Sequence, residues 1–268
     1  MMQNPRLQGA AAAFLDQRLA SGRVAFSLAE LTKTTGLSNI AAIRQLSRLA
    51  PRAVRVARRH SFFLIVTPEH AVMGGPPVTW WLDDYFGWLG HPYYLALQSA
   101  GATYGSNPQA LQITQVMTDS PRRQITVGRI RIRFLVKRGI ERTPTQALAN
   151  AYAPLKVSTP EATAFDLIRY ASRIGGIGRA VETLVPLMPL MQPEKLKAVL
   201  AAEQETSTAQ RLGHLLERSG NRQLANTIHE WLPKQLLVIP LIPTGIQPVN
   251  APVVARWQIL DNSTEAQP

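Results

Sequence analysis

The sequence predicts an α+β protein with a small N-terminal domain of three helices and a β-hairpin, and a larger, mixed α/β C-terminal domain. Two observations predict this division. Helix-like and strand-like segments fill residues 1–66, and a Gly-Gly-Pro-Pro run follows at Gly74–Pro77. The predicted parts are a first domain at 1–70, a linker at 67–79, a second domain at 78–262 and a polar tail at 262–268.

The composition is that of a folded globular protein without cysteine chemistry. Hydrophobic residues make up 46% of the chain and charged residues 17%, and the absence of cysteine excludes disulfides and thiolate metal sites. The most apolar late run, Leu236–Ile242, is too short to span a bilayer. Asp16 interrupts the Ala-rich N-terminus too early for a signal peptide. We therefore expect a cytoplasmic protein.

The net charge of +12 is concentrated at the N-terminus. Residues 1–66 hold ten lysines and arginines against Asp16 and Glu30 alone, so this quarter of the chain carries eight of the twelve net positive charges. A concentrated positive field attracts polyanions. We expect a nucleic acid as the partner, with an anionic membrane surface as the weaker alternative.

Local signals predict three helices in the first domain. Ser27 and Glu30 have the spacing of a capping box, and Ser38 is a hydroxyl cap for a further helix. The glycines that follow two of these segments favour helix ends. The predicted helices are residues 7–20, a helix opened by Ser27 and stopped by Gly36, and Asn39–Leu49.

The third helix is amphipathic and is the predicted reader of DNA. Ile40, Ile43 and Leu46 recur at helical spacing and are expected to face the first two helices. Small, amide and guanidinium side chains on the opposite face suit base contacts and phosphate neutralisation in the major groove. That outward face comprises Ala41, Gln45, Arg48 and Arg52, with Arg44 on its flank.

Two β-prone runs, Val54–Ala57 and Phe62–Val66, surround a basic turn and predict a hairpin. Arg58 and Arg59 at its tip are expected to reach phosphates or the minor groove. Three helices followed by such a hairpin make a winged helix-turn-helix. The predicted DNA contacts are Ser38, Ala41, Arg44, Gln45, Arg48, Arg52, Arg55, Arg58, Arg59 and His60. The alternative is a packing domain whose basic faces are merely solvated.

The second domain is predicted to mix helices and short strands. Thr159 and Pro160 mark a helix start, with Glu161 in the first turn. The aromatic residues between positions 80 and 89 are expected to be core. The other predicted segments are a helix from Pro92 to about Gly101, strands at Leu111–Met117 and Ile125–Val136, helices at Pro193–Ala202, Ser207–Ser219 and Asn221–Leu232, and strands at Leu236–Leu241 and Ala255–Leu260.

The predicted strand Ile125–Val136 carries a second basic feature. Arg129, Arg131 and Arg133 alternate with apolar residues, and this alternation puts all three on one face of a strand. We interpret this face as a possible second anion-binding surface. The alternative is an edge strand that its charges protect from aggregation.

We expect no catalytic site, no cofactor and no metal. The sequence has no phosphate loop or dinucleotide fingerprint, and its five histidines lack metal-ligand spacing. Glu161 and Asp166, five residues apart, do not share a helix face. We interpret the first as a partner of the helix dipole and the second as a local hydrogen-bond acceptor.

Several stretches after the predicted winged helix occur in the order found in a known family. They are YYLALQSAGATYG (Tyr93–Gly105), the arginine-alternating strand, STPEATAFDLIRY (Ser158–Tyr170), GGIGRAVETL (Gly175–Leu184), QRLGHLLERSG (Gln210–Gly220) and RWQILDN (Arg256–Asn262). In this order they resemble the AbiEi antitoxins of type IV toxin–antitoxin systems. The resemblance spans nearly the whole chain, and the order of the motifs is its specific part.

This resemblance implies a winged helix that binds inverted repeats in its own promoter and represses the operon. It also implies a C-terminal domain that opposes a nucleotidyltransferase-like toxin, the AbiEii partner, with or without direct contact. The toxin itself is excluded, because Gly105-Ser106 is followed only by the isolated Asp119 and not by an Asp-x-Asp metal site. We expect no membrane partner. The alternative is a stand-alone winged-helix regulator whose second domain senses a ligand or dimerises.

Overall fold

A computed structural model describes residues 9–106, 111–148, 154–243 and 251–263. Residues 264–268 of the predicted tail and the first two residues of the predicted helix at 7–20 lie outside these ranges. The chain forms two compact units. The first comprises residues 1–94, 112–138 and 147–156, and the second comprises 95–111, 139–146 and 157–268. These units divide the chain differently from the domains expected at 1–70 and 78–262.

The N-terminal part of the first unit combines three helices with a small antiparallel sheet. Its elements are α1 (Ala10–Ala20), β1 (Ala25–Ser27), α2 (Leu28–Thr35), α3 (Asn39–Arg48), β2 (Ala53–Arg55) and β3 (Phe62–Ile65). The strand order is β1-β3-β2, with both neighbours antiparallel to β3. Phe26 stacks on Phe63 with ring centroids 5.5 Å apart, and Phe14 meets Phe26 edge-on. These rings occupy the centre of a dry core that fixes the three helices on one face of the sheet.

The helix ends in this region follow the sequence signals. The Ser27 side chain accepts from the backbone N–H of Glu30, and the Glu30 carboxylate accepts from the backbone N–H of Ser27, which confirms the capping box. Gly36 ends α2 in the left-handed conformation, with φ of 72°. Ser38 caps α3 by accepting from the backbone N–H of Ala41.

The first unit continues with α4 (Leu82–Leu89) and three strands, β5 (Thr114–Thr118), β6 (Ile125–Val127) and β7 (Ile130–Val136). Their order is β6-β7-β5, with β5 parallel and β6 antiparallel to β7. The single strand predicted over Ile125–Val136 is therefore wrong. Gly128, with φ of 55°, makes a tight turn between β6 and β7, a conformation that glycine takes without steric cost.

The segment predicted as a linker at 67–79 is a packed connection. The backbone N–H of Arg129 donates to the carbonyl oxygen of Met73 at 2.9 Å. A Cβ atom added at Gly128 would lie 2.4 Å from the same oxygen, so the segment passes directly against the β6–β7 turn. Trp81, Tyr85 and Phe86, just after this segment, are fully or almost fully buried, as expected for core aromatics, whereas Trp88 is 37% exposed.

Three further strands have residues in both units, and they lie in the order β4-β9-β8. They are β4 (Tyr93–Leu95), β8 (Thr145–Leu148) and β9 (Leu155–Ser158), and β4 runs parallel to β9. The helix predicted from Pro92 is thus wrong over its first turn. Tyr93, Tyr94 and Leu95 are all buried, and two consecutive buried aromatic residues fit a strand covered on both faces.

The second unit is mainly helical. Its helices are α5 (Leu97–Thr103), α6 (Pro160–Arg169), α7 (Ile177–Leu187), α8 (Pro193–Glu203), α9 (Thr206–Arg218) and α10 (Arg222–Trp231). Nine of the ten residues of α6 are buried, so this helix is the centre of the unit. The predicted boundaries of α8, α9 and α10 are confirmed to within one residue, whereas α7 was not assigned from the sequence.

Three two-residue strands complete the second unit: β10 (Ile239–Pro240), β11 (Val253–Val254) and β12 (Ile259–Leu260). β12 lies between the others, parallel to β10 and antiparallel to β11. The two strands predicted in this part of the chain are therefore present but shorter than expected. Within the described ranges, no helix has both the length and the apolar character needed to cross a membrane.

Candidate nucleic-acid interface

The exposed face of α3 differs from the predicted one. Ala42 is fully buried and Leu46 is 4% exposed, whereas Ile40 is 67% and Ile43 37% exposed. The expectation that Ile40 and Ile43 face the first two helices is therefore wrong. The face that α3 presents to solvent consists of Ile40, Ile43, Arg44, Ser47 and Arg48.

Contacts to α1 explain this orientation. Gln45 Oε1 accepts from the backbone N–H of Ala11 at 2.9 Å, and the Arg52 guanidinium forms an ion pair with Asp16. Ala41 is half-buried against the same core. The outward orientation predicted for Ala41 and Gln45 is thus wrong, because small alanines let α3 approach its neighbours closely and the polar groups of α1 bind Gln45 and Arg52.

The tip of the β2–β3 hairpin, residues 57–61, presents two exposed arginines, Arg58 and Arg59. Arg55 precedes them, lies over the ring of Phe63 at 5.2 Å and donates to the carbonyl oxygen of Arg58. The basic turn predicted between the two strands is confirmed in position. Phe63 and the turn therefore hold the Arg55 side chain beside the hairpin tip.

His60 was predicted among the DNA contacts, but its side chain points into the first unit. Its Nδ1 lies 2.8 Å from the hydroxyl of Tyr85, and its ring is 5.7 Å from that of Trp88. Burial, reinforced by the positive charge of Arg122, lowers the pKa of His60 below its usual value. The imidazole is therefore neutral at pH 7 and does not supply a cation to a phosphate.

A cleft of about 530 Å³ lies beside the hairpin tip. Its lining includes Arg58 and Arg59 from the tip and Arg122 and Arg123 from the β5–β6 connection, together with Tyr85, Ile125 and Phe134. We call it the arginine cleft. All its lining residues belong to the described part of the chain, and none of them is acidic. The sequence shows each Arg-Arg pair, but only the fold brings two pairs more than sixty positions apart into one cleft.

The second basic face is smaller than predicted. Arg131 and Arg133 are exposed on one face of β7, two residues apart. Arg129 lies in the turn before β7 and its N–H is bonded to Met73, so it is exposed but not part of the strand face. The exposed Arg129 still alternates with the buried Ile130 and Ile132 as predicted, but it precedes the strand, so only Arg131 and Arg133 lie on the face of β7 itself.

The two acidic residues of α6 are enclosed. Glu161 is fully buried, and its Oε1 accepts from the backbone N–H of Gln192 at 2.8 Å, the residue that precedes α8. Asp166 is also fully buried. Glu161 thus connects the start of α6 to the start of α8 in the interior of the second unit. Among the described residues, no three His, Asp or Glu side chains are grouped closely enough to hold a metal ion.

These features define a class: a mixed α/β protein with a strongly basic N-terminal part and a helical second unit. Residues 94–218 match the family of AbiEi antitoxin C-terminal domains. The match covers the segment from β4 to the end of α9. It supports the role of an antitoxin in a toxin–antitoxin system.

Comparison with solved structures gives two similar chains. The RV2827C protein from Mycobacterium tuberculosis is similar over 98% of this chain and 93% of its own, with a TM-score of 0.68 and 15% sequence identity. The two chains therefore share a fold. An antigenic nucleotidyltransferase-like protein from Paracoccidioides brasiliensis is similar over 56% of this chain and 90% of its own, with a TM-score of 0.38 and 10% identity. No curated protein sequence matches the chain.

Proposed function

We propose that this protein is the antitoxin of a type IV toxin–antitoxin system in the cytoplasm and that it represses its own operon by binding promoter DNA. The observation that carries the DNA-binding part is the arrangement α1-β1-α2-α3-β2-β3 with strand order β1-β3-β2. That arrangement is the one a winged helix requires: α3 as the recognition helix and the β2–β3 hairpin as the wing. The charge of residues 1–66 supports it.

The proposed contact surface follows the exposed face of α3. Arg44 and Arg48 are available to bases or phosphates, and Ile40 offers an apolar contact to a thymine methyl group. Ala41, Gln45, Arg52 and His60 are left out because their side chains contact the protein. The proposed set is Ser38, Ile40, Ile43, Arg44, Ser47, Arg48, Arg55, Arg58 and Arg59.

We further propose that the operator contains inverted repeats bound by two copies of the chain, since a two-fold symmetric site matches a pair of identical readers. The antitoxin role is assigned to the AbiEi domain, with a nucleotidyltransferase-like AbiEii toxin as the functional partner. In a type IV system the two proteins act in opposition and a stable complex is not required. The chain then acts by binding and not as an enzyme.

The experiment that tests DNA binding is a gel-shift titration of the full-length protein with its own promoter. The double variant Arg44→Ala/Arg48→Ala is expected to bind at least tenfold more weakly. The matched control is Lys195→Gln/Arg222→Gln, which removes two exposed charges from α8 and α10 and should bind as the wild type does. Equal binding by both variants would exclude α3 from the interface.

The antitoxin role is tested separately, by co-expressing the chain with the toxin encoded beside it. The wild type should restore growth, and Arg44→Ala/Arg48→Ala should also restore it when expressed from an unrelated promoter. Growth arrest in the presence of folded wild-type protein would rule out the antitoxin assignment and leave the DNA-binding proposal intact.

A further inference from the structure

The arginine cleft holds more positive charge than its surroundings balance. Arg58, Arg59, Arg122 and Arg123 line it. None of the four has an ion-pair partner among the described residues, although arginines elsewhere in this unit, such as Arg23 with Asp84, are paired. Four cations around one cleft repel one another, so the fold tolerates a cost that a bound anion would remove.

Arg122 also has a hydrogen-bond donor without an acceptor in the described part of the chain. Its Nε is buried and finds no hydrogen-bond acceptor among the described residues, and its Nη2 is 3.5 Å from Ser120 Oγ. Its guanidinium lies over the ring of Phe86 at 5.9 Å, which fixes the orientation of the planar group. A buried N–H donor without an acceptor is costly, and an oxyanion bound beside Arg122 would supply an acceptor.

The cleft is lined in part by apolar side chains that pack closely against their neighbours. Tyr85 is fully buried and packs against Phe62 and Trp88, with ring centroids 5.4 and 6.0 Å apart. Ile125 and Phe134 line the same space. The cleft thus combines anion-binding groups with apolar surface, and its volume falls within the range of small-molecule sites.

We propose that the arginine cleft binds a phosphorylated small molecule the size of a nucleotide. The two arginine pairs would bind its phosphate oxygens, since guanidinium groups pair with phosphate in bidentate geometry. Its remaining part would lie against Ala57, Pro121 and Phe134, the apolar lining residues that are partly or fully exposed. The phosphates of a nucleic-acid strand offer the same charged groups, and the volume of the cleft, about 530 Å³, favours a small free compound.

This site shares Arg58 and Arg59 with the DNA-binding surface proposed above. A ligand that occupies them would lower operator affinity, and operator DNA would lower ligand affinity by the same factor. This consequence rests on the proposed function. Ligand binding itself involves only the cleft and is measured in the absence of DNA, so the two proposals can fail independently.

The test is isothermal titration calorimetry of the full-length protein at low salt with adenosine triphosphate and with inorganic tripolyphosphate. One ligand is expected per chain, with affinity at least tenfold lower in Arg122→Gln/Arg123→Gln and unchanged in Lys195→Gln/Arg222→Gln. Tighter binding of adenosine triphosphate than of tripolyphosphate supports the proposal, because only the nucleotide has a part that contacts the apolar lining. Equal binding overturns the assigned size of the ligand. Absence of saturable binding, or equal affinity in both variants, overturns the proposal.

Two further measurements keep the result interpretable. A short single-stranded oligonucleotide that binds the cleft while both small phosphates fail would also overturn the proposal, because the source would then be nucleic acid. In the wild type, a saturating ligand should raise the pKa of His60, followed through its ring protons by NMR, because the anion offsets the charge of Arg122. An unchanged pKa of His60 would show that the ligand binds outside the cleft and would overturn the proposal.

Discussion

Gln45 on α3 caps the first turn of α1, because its Oε1 accepts from the backbone N–H of Ala11 at 2.9 Å. The N-cap of α1 is Gly9, which has no side chain to do this. A helix begins with N–H groups that have no partner within the helix, and here a neighbouring helix supplies one. This contact turns Gln45 inward and places Ile40, Ile43, Arg44, Ser47 and Arg48 on the outside.

Replacing Gln45 by alanine should therefore reduce stability and leave operator discrimination unchanged. Removing the cap costs about 0.5–2 kcal/mol of unfolding free energy. Gln45→Glu is the matched control, since a carboxylate still accepts the bond and suits a helix N-terminus. Urea unfolding and competition gel shifts measure the two quantities. If Gln45→Ala instead lowered discrimination by about 1–3 kcal/mol at full stability, Gln45 would be a base contact.

The hairpin tip should bind phosphates in a way that does not depend on DNA sequence. Arg58→Ala/Arg59→Ala is expected to weaken binding to operator and unrelated duplexes alike. It should also reduce the slope of log affinity against log salt by about 0.9 for each phosphate that the protein no longer neutralises. The comparison is Arg44→Ala/Arg48→Ala, whose affinity should fall further on the operator. A salt slope identical to that of the wild type would remove the tip from the interface.

Arg131 and Arg133 stand about 7 Å apart on one face of β7, close to the spacing of phosphates along one strand. Replacing both by glutamine should leave the protein folded, with an unchanged or slightly higher melting temperature. The variant should be defective in operator affinity or in toxin antagonism. Adding Arg129→Gln should change neither assay further, since Arg129 lies in the turn. Wild-type performance of the double variant in both assays would indicate a charged strand kept for solubility.

Stability should fall as the pH drops from about 7 to 5. Burial lowers the pKa of both His60 and His214 in the folded protein, so the unfolded chain binds more protons below about pH 6.5. Protonation of these two histidines therefore favours unfolding in this range. At pH values well above about 6.5, both are neutral in the folded and unfolded states, and this loss of unfolding free energy is absent. The Nε2 of His214 is also buried without a partner among the described residues. His214→Leu should flatten the pH dependence, measured by urea unfolding at several pH values. An unchanged slope would assign the acid sensitivity to other groups.

Local sequence signals determined much of this protein. The capping box at Ser27, the glycine stop at Gly36 and the caps at Ser38 and Thr159 are formed as predicted, because each involves groups within a few residues of one another. The family resemblance was also readable, since it depends on the order of motifs along the chain. The concentration of positive charge near the N-terminus required only counting.

Tertiary structure alone decided which way these elements face. Two helical faces of α3 include Leu46: the predicted one with Ile40 and Ile43, and one with Ala42. The packing of Ala42 and the hydrogen bond between Gln45 and α1 determine that the second, less hydrophobic face is the buried one. The arginine cleft likewise depends on two segments far apart in sequence. Periodicity encodes that a helix has a buried face, but the choice among similar faces depends on the shape and unpaired polar groups of neighbours that a local pattern does not contain.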